Sequence, residues 1–343
     1  MHTSEQDPRN DSMDGSTADE RNSCRARLFD ARGRDAAVAC GDLAAVELSD
    51  HRLLWVDLTN PSPSRLDEVW KALALPLAAK AEVGSARTTP CLRKAGEVFW
   101  VRVVAVSGND GLALRGRVLT LVATRNAVVS MHDDPLPFVD ALFDREAAGS
   151  DIGALSAESF VASLLDWHLV TYFDTVADFE IAIERLEVGI LTERQRESLP
   201  ELRRLRKAAS RLRRMLAPHR AVFSALSRPD FRPREAAEAD AHFAALDTRY
   251  ERAMDMVENT RDLVVGSFEL FTSQIALQTN DSMRLLSFIA VVVGLLAVIA
   301  GILGMNFDAP LFETQAAGFW TAVGAMALLA TTAIALARHR GWF

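Results

Sequence analysis

Gly304, Met305 and Asn306, with Phe307 after them, bring neutral oxygens together near the C-terminal end of the chain. Asn306 offers a side-chain carbonyl. Gly304 and Met305 offer main-chain carbonyls where a helix ends. A ring of such oxygens can hold a small hydrated cation through its water shell without stripping it, as Mg²⁺ demands because it dehydrates reluctantly. Asp308 and Glu313 follow in the same loop. They would concentrate cations at the mouth of such a site, or they are ordinary solvated loop acids. Upstream, Asn280, Ser287, Gly294 and Gly301 recur every seven residues. Seven residues are nearly two helical turns, so the four fall close to one face, drifting by about 20° per heptad. Small residues on one face serve close helix packing, or they line a pore built from several copies of the helix. Asn280 gives the second use a reason, because a free amide at the edge of a membrane span suits a water-filled channel.

These residues sit on two long apolar runs. Leu285 to Leu303 is nineteen residues without a charge, and Ala316 to Ala337 is twenty-two more. At about 1.5 Å per residue each spans roughly 30 Å, the thickness of a bilayer core. The connecting segment carries Asp308 and Glu313 but no Lys or Arg, whereas the outer flanks carry Arg284 on one side and Arg338, His339 and Arg340 on the other. Basic flanks stay in the cytoplasm, so both ends are expected inside and the loop outside. A buried core hairpin in a soluble protein is the other reading of two such runs. A single chain with two spans cannot enclose a pore, so a channel would require several copies.

The Gly304-Met305-Asn306 tripeptide between two C-terminal spans, after a long preceding region, resembles the CorA family of divalent-cation transporters. Asn280, Met283 and Arg284 match the family pattern at the inner end of the pore helix. Leu303 stands where the family has Tyr, and Leu295 stands in the region where a Pro is common. The order WVDLTNPSPSRLDEV, FWVRVVAV and LVATRNAVVSMHDDPLP is similar to the family's cytoplasmic domain and extends the resemblance over most of the chain. The resemblance implies a funnel-shaped homopentamer in the inner membrane. It also implies a selectivity ring made by Gly304, Met305 and Asn306, and no cofactor beyond the transported ion. It further implies a regulatory metal site between subunits. Glu82 falls at about the family's position on the α/β domain. The stalk partner position reads Ala245, with Asp247 close by.

The 343 residues allow one cytoplasmic domain plus the hairpin. The net charge of −8 rests almost wholly on the soluble part, which argues against nucleic acid as the main partner. Cys24, Cys40 and Cys91 have no close pairing spacing and are expected as reduced thiols. The N-terminal stretch has no apolar run suited to a signal peptide, so membrane targeting is expected from the C-terminal spans. Residues 1–26 are polar and are expected to be a disordered tail. Strands are predicted at Leu53–Leu58, Val98–Val106, Val118–Ala123 and Ala127–Met131. Ser64 is predicted to cap a helix over Arg65–Ala74. Long helices follow over Ala157–Leu191 and Leu199–Leu226, and a third from Glu235 has no convincing breaker before Leu303. That third helix would be about 100 Å long, so most of it would project from the bilayer as a stalk.

No Walker A sequence appears, so ATP is not expected to drive transport through this chain. No His or Cys pair offers a zinc site, and the seven histidines read as surface or packing residues. The basic run from Arg203 to Arg214 reads as a solvated helix face balanced by Glu251, Asp255, Glu258 and Asp262, with nucleic-acid binding the other option.

The expectation is an α+β membrane protein and not an enzyme. It has a cytoplasmic α/β domain over 27–150, long helices and stalk over 151–284, and a first transmembrane helix over 285–303. A periplasmic loop over 304–315, a second span over 316–337 and a cytoplasmic basic tail over 338–343 complete it. The expected function is Mg²⁺ and Co²⁺ influx through a pentamer. A Zn²⁺ transporter of the same superfamily and a membrane-anchored scaffold are the alternatives.

Overall fold

The computed structural model describes residues 24–83, 88–108, 113–145, 151–192, 195–228, 230–231, 237–305 and 316–341. The first strands are β1 (Cys24–Asp30), β2 (Ala36–Val38) and β3 (Arg52–Thr59), followed by helices α1 (Pro63–Ala72) and α2 (Leu77–Val83). Next come β4 (Cys91–Ala95), β5 (Val98–Gly108), β6 (Leu114–Ala123), β7 (Ala127–His132) and helix α3 (Pro137–Arg145). Five further helices follow: α4 (Ala157–Leu191), α5 (Gln195–Leu216), α6 (Arg220–Leu226), α7 (Ala237–Leu303) and α8 (Ala316–His339).

The strands form one sheet in the order β2-β1-β3-β7-β6-β5-β4. Only β3 and β7 run parallel; the other neighbours are antiparallel. Both faces of the central strands are covered, which is why LLWVDL in β3 is a nearly continuous apolar run. One face packs Leu54, Val56, Leu58 and Val129 against Val69, Trp70 and Ala79 of α1 and α2. The other face packs Trp55 against Phe143 and Phe160, with ring centroids 5.0 and 5.2 Å apart. Helices on both faces of a mixed sheet make the α/β layer that the strand pattern predicted.

Four local differences from the sequence reading have physical causes. β1 starts at Cys24, inside the stretch expected as a tail, because Ala26 and Phe29 are buried. The cap of α1 is Ser62, not Ser64: its Oγ accepts a hydrogen bond from the Arg65 N–H at 3.2 Å, and Pro63 takes the first helical position. Cys24 and Cys40 form a disulfide, not a pair of free thiols. The β1–β2 register pairs Ala26 with Val38, so extending it two residues sets Cys24 opposite Cys40. The expectation of reduced thiols therefore fails for these two; Cys91 is free and half-buried. Finally, the helix expected over Leu199–Leu226 breaks at Pro218 into α5, a 3₁₀ turn over Ala217–His219, and α6. Proline has no N–H to continue the ladder.

The chain divides into two bodies. One holds the sheet, the helices up to Leu186, and Arg196–Gly266; the other holds Glu187–Gln195 and Ser267 onward. In the first body, Arg213 of the basic run pairs with Glu258, one of the acids expected to balance it, while Glu251 pairs with Arg220, which lies beyond the run. In the second, α7 and α8 are each long and apolar enough to cross a membrane, and neither buries its apolar window within the chain.

Candidate ion pathway

Gly304 and Met305 sit where α7 stops. Gly304 N–H still donates to the Ala300 carbonyl at 2.9 Å, while Met305 N–H donates to Ile302 at 3.2 Å, a tightening of the last turn. Gly304 suits the place, since an added Cβ would approach the Ala300 carbonyl to 3.3 Å. The carbonyls of a helix's last turn point out of its end, so α7 aims main-chain oxygens along its axis here. Met305 is exposed. Asn306, Asp308 and Glu313 lie outside the described residues.

Upstream, α7 has a distinct inner face. Phe288, Val292, Leu296, Ile299 and Leu303 are its half-buried residues within the apolar run. Their spacing marks one helical stripe. Asn280, Ser287, Gly294 and Gly301 are all exposed. At 3.6 residues per turn their stripe is centred about 150° around the helix from the half-buried one. A Cβ added at Gly294 or Gly301 would meet nothing within 4 Å. Among the described residues, the two glycines of the small-residue stripe therefore have open space beside them. α8 carries its own buried and half-buried stripe, Gly318, Ala322, Met326, Leu329, Ala333 and Ala337, rich in small residues that permit close approach. Near the Arg284 end both helices border one cavity, with Arg284 and Ser287 from α7, and Ala337 and Arg340 from the end of α8 and just beyond it. The two helices thus run antiparallel with their basic ends together, and Ser287 sits at the edge between the exposed stripe and the α8 side.

The two residues expected at a regulatory metal site are placed differently. Glu82, at the end of α2, is held inside its own domain: its carboxylate lies 3.3 Å from the Arg102 guanidinium, which is 2% exposed. The backbone carbonyl of Glu82 also accepts from Arg102. Asp247 is half-buried on α7. Among the described residues, no group of three His, Cys, Asp or Glu side chains is arranged to hold a metal.

A buried polar network in the sheet escaped the sequence reading. Asp57 of β3 is fully buried; its carboxylate accepts from Ser130 and from His132 Nε2 at 3.2 Å, and pairs with Arg25 at 2.8 Å. Trp55 Nε1 donates to Ser130 at 2.9 Å. Burial pushes the Asp57 carboxyl up, but His132 and Arg25 outweigh it and hold it below the ordinary carboxylate range. His132 moves the other way: burial lowers it, and Asp57 raises it above its ordinary value. The one signal was a lone Asp in an apolar strand, which a buried partner had to neutralise.

Comparison with known proteins matches this chain over residues 50–339 to the family model described as CorA-like Mg²⁺ transporter protein. The cobalt/magnesium transport protein CorA of Thermotoga maritima is 28% identical over 200 residues, covering 57% of this chain and 56% of that protein. The divalent cation transporter CmaX of Pseudomonas aeruginosa is 27% identical over 310 residues, covering 89% of this chain and 92% of that protein. The complete structure of the CorA magnesium transporter from Methanocaldococcus jannaschii superposes with a TM-score of 0.71 at 19% identity, over 93% of this chain and 98% of that one.

Proposed function

Because this chain belongs to the CorA-like Mg²⁺ transporter family, we propose that it carries divalent cations across the inner membrane through a pore walled by several copies of α7. The observation that carries the reading is the stripe of Asn280, Ser287, Gly294 and Gly301. It is exposed along α7, faces away from the half-buried side, and runs to the tripeptide at the helix end. In an assembly it offers a polar, narrow lining free of side-chain obstruction. Gly304, Met305 and Asn306 form the outer ring that holds the hydrated ion, and Asp308 and Glu313 attract cations to it. Five copies close the pore, as the resemblance implies. Both ends of the hairpin lie in the cytoplasm, since Arg284, Arg338 and Arg340 gather at one end of it.

No catalytic step is needed. A divalent ion gains roughly 4 to 5 kcal/mol on crossing 100 mV, inside negative, which suffices to drive influx. Mg²⁺, with Co²⁺, is the favoured cargo, because neutral oxygens suit an ion that keeps its water. The test is flux into liposomes holding the full chain, with Mg²⁺, Co²⁺ and Zn²⁺ supplied separately. Uptake of Mg²⁺ and Co²⁺ that follows the imposed potential supports the reading. Zn²⁺ uptake that needs a proton gradient points to the zinc reading, and no flux of any ion from an inserted oligomer points to a membrane-anchored scaffold.

A further inference from the structure

Arg284 and Arg340 line one cavity of about 520 Å³ in the second body, together with Ser287, Phe288, Ala333 and Leu336. The cavity has two chemistries. Its basic end presents two guanidinium groups from different helices, both on exposed residues. Asp281, three residues before Arg284, is the acid nearest in sequence, so the rim keeps a net positive charge. Its other walls are apolar, formed by Phe288 of α7 and by Ala333 and Leu336 of α8. Ala333 contributes a small side chain to that wall.

We propose that this groove holds an anionic phospholipid of the cytoplasmic leaflet, with its phosphate between Arg284 and Arg340 and an acyl chain along Phe288, Ala333 and Leu336. Arginine suits the phosphate because its planar fork pairs with two oxygens at once. A free phosphate would leave the apolar walls unused. A zwitterionic lipid would bring its own cation against the two arginines. A lipid with net negative charge satisfies both ends of the cavity, at the depth where the apolar run gives way to the basic flank. The site would clamp α7 to α8 at the inner boundary, and so tie the pore helix to membrane composition. The inference rests on the reading that α7 and α8 cross a bilayer with their basic ends at one surface.

The test is native mass spectrometry of the full-length protein titrated with phosphatidylglycerol or with phosphatidylcholine of the same acyl chains. The wild type should retain phosphatidylglycerol about thirtyfold better, the scale expected of two arginines at a membrane surface. The Arg284→Gln/Arg340→Gln double variant should retain the two lipids equally, in an oligomer of unchanged mass. Ala333→Leu keeps both arginines but narrows the groove, and should also lose the preference. No preference in the wild type overturns the proposal, as it would if a neighbouring copy covered the groove. An unaltered preference in either variant does the same, and so does displacement of the lipid by millimolar inorganic phosphate. Liposome flux is measured on the same preparations. Absent lipid preference with intact flux sinks the lipid site alone, whereas absent flux with intact lipid preference sinks the transport reading.

Discussion

Asn306 is the residue on which the transport reading most depends, because it holds the one side-chain carbonyl of the Gly304-Met305-Asn306 tripeptide. Asn306→Ala removes that oxygen and leaves both spans and the sheet core untouched. Flux should fall to near background with the oligomer still assembled; wild-type flux from an assembled variant would discard the filter assignment. Glu82 calls for the opposite expectation. Its carboxylate faces the guanidinium of Arg102, a nearly fully buried side chain, so Glu82→Ala removes an internal partner instead of a surface acid. The domain should lose about 1 to 3 kcal/mol, read as a lower unfolding midpoint. Inhibition by millimolar internal Mg²⁺ should stay as it was. A variant with unchanged stability but lost inhibition would return Glu82 to the regulatory site. Sequence could place Glu82 only by the family resemblance and could not pair it, since Arg102 lies twenty residues away and only the fold brings them together. The same blindness hid Asp57, whose partners Ser130 and His132 come from β7, the parallel neighbour of β3.

At the scale of elements, local patterns carried far. The strand runs and the long helix over Ala157–Leu191 follow from apolar spacing alone, and the 67-residue α7 follows from the absence of any breaker. Contacts set by register were out of reach, as the Cys24–Cys40 pairing illustrates. So was the joint between the sheet and the helices, which is built on histidines that the sequence read only as surface or packing residues. His168 Nε2 donates to the Val104 carbonyl at 2.9 Å, as does the Tyr172 hydroxyl at 2.7 Å, and Val104 N–H donates to His219 Nε2 at 2.8 Å. Both rings are buried, which lowers His168 to about 4 and His219 to about 3. The unfolded chain binds protons at these residues below about 6.5 while the folded chain does not, so stability falls as pH drops below that value. For His168 the loss reaches on the order of 3 kcal/mol near pH 4. Unfolding of the full chain should be insensitive to these groups above pH 7 and progressively easier from pH 6.5 to 4.5. His168→Phe, which leaves Tyr172 bonded to Val104, should flatten that slope. A slope unchanged in the variant would assign the acid sensitivity elsewhere.

At the scale of the whole molecule, the question is how two helices whose apolar windows stay unburied within the chain are held at one depth and orientation. The apolar faces require a bilayer, further copies, or both. They fix no direction, because an apolar helix crosses equally well either way. Direction must come from the flanks, and Arg338 and Arg340 follow directly on the second span. Five copies would gather ten such arginines at the inner face, with five more from Arg284. That collar repels a divalent ion, so it is a poor binding site for the cargo, and anchoring is its more direct use. The Arg338→Gln/Arg340→Gln variant should therefore insert in mixed orientation, seen as a terminal tag reached by protease from both sides of the membrane. Correctly oriented molecules should keep the wild-type ratio of Mg²⁺ to Co²⁺ flux. If instead the variant inserts with both termini inside and that ratio shifts, the arginines border the permeation path, and the stalk acids that would offset their charge become the next groups to change.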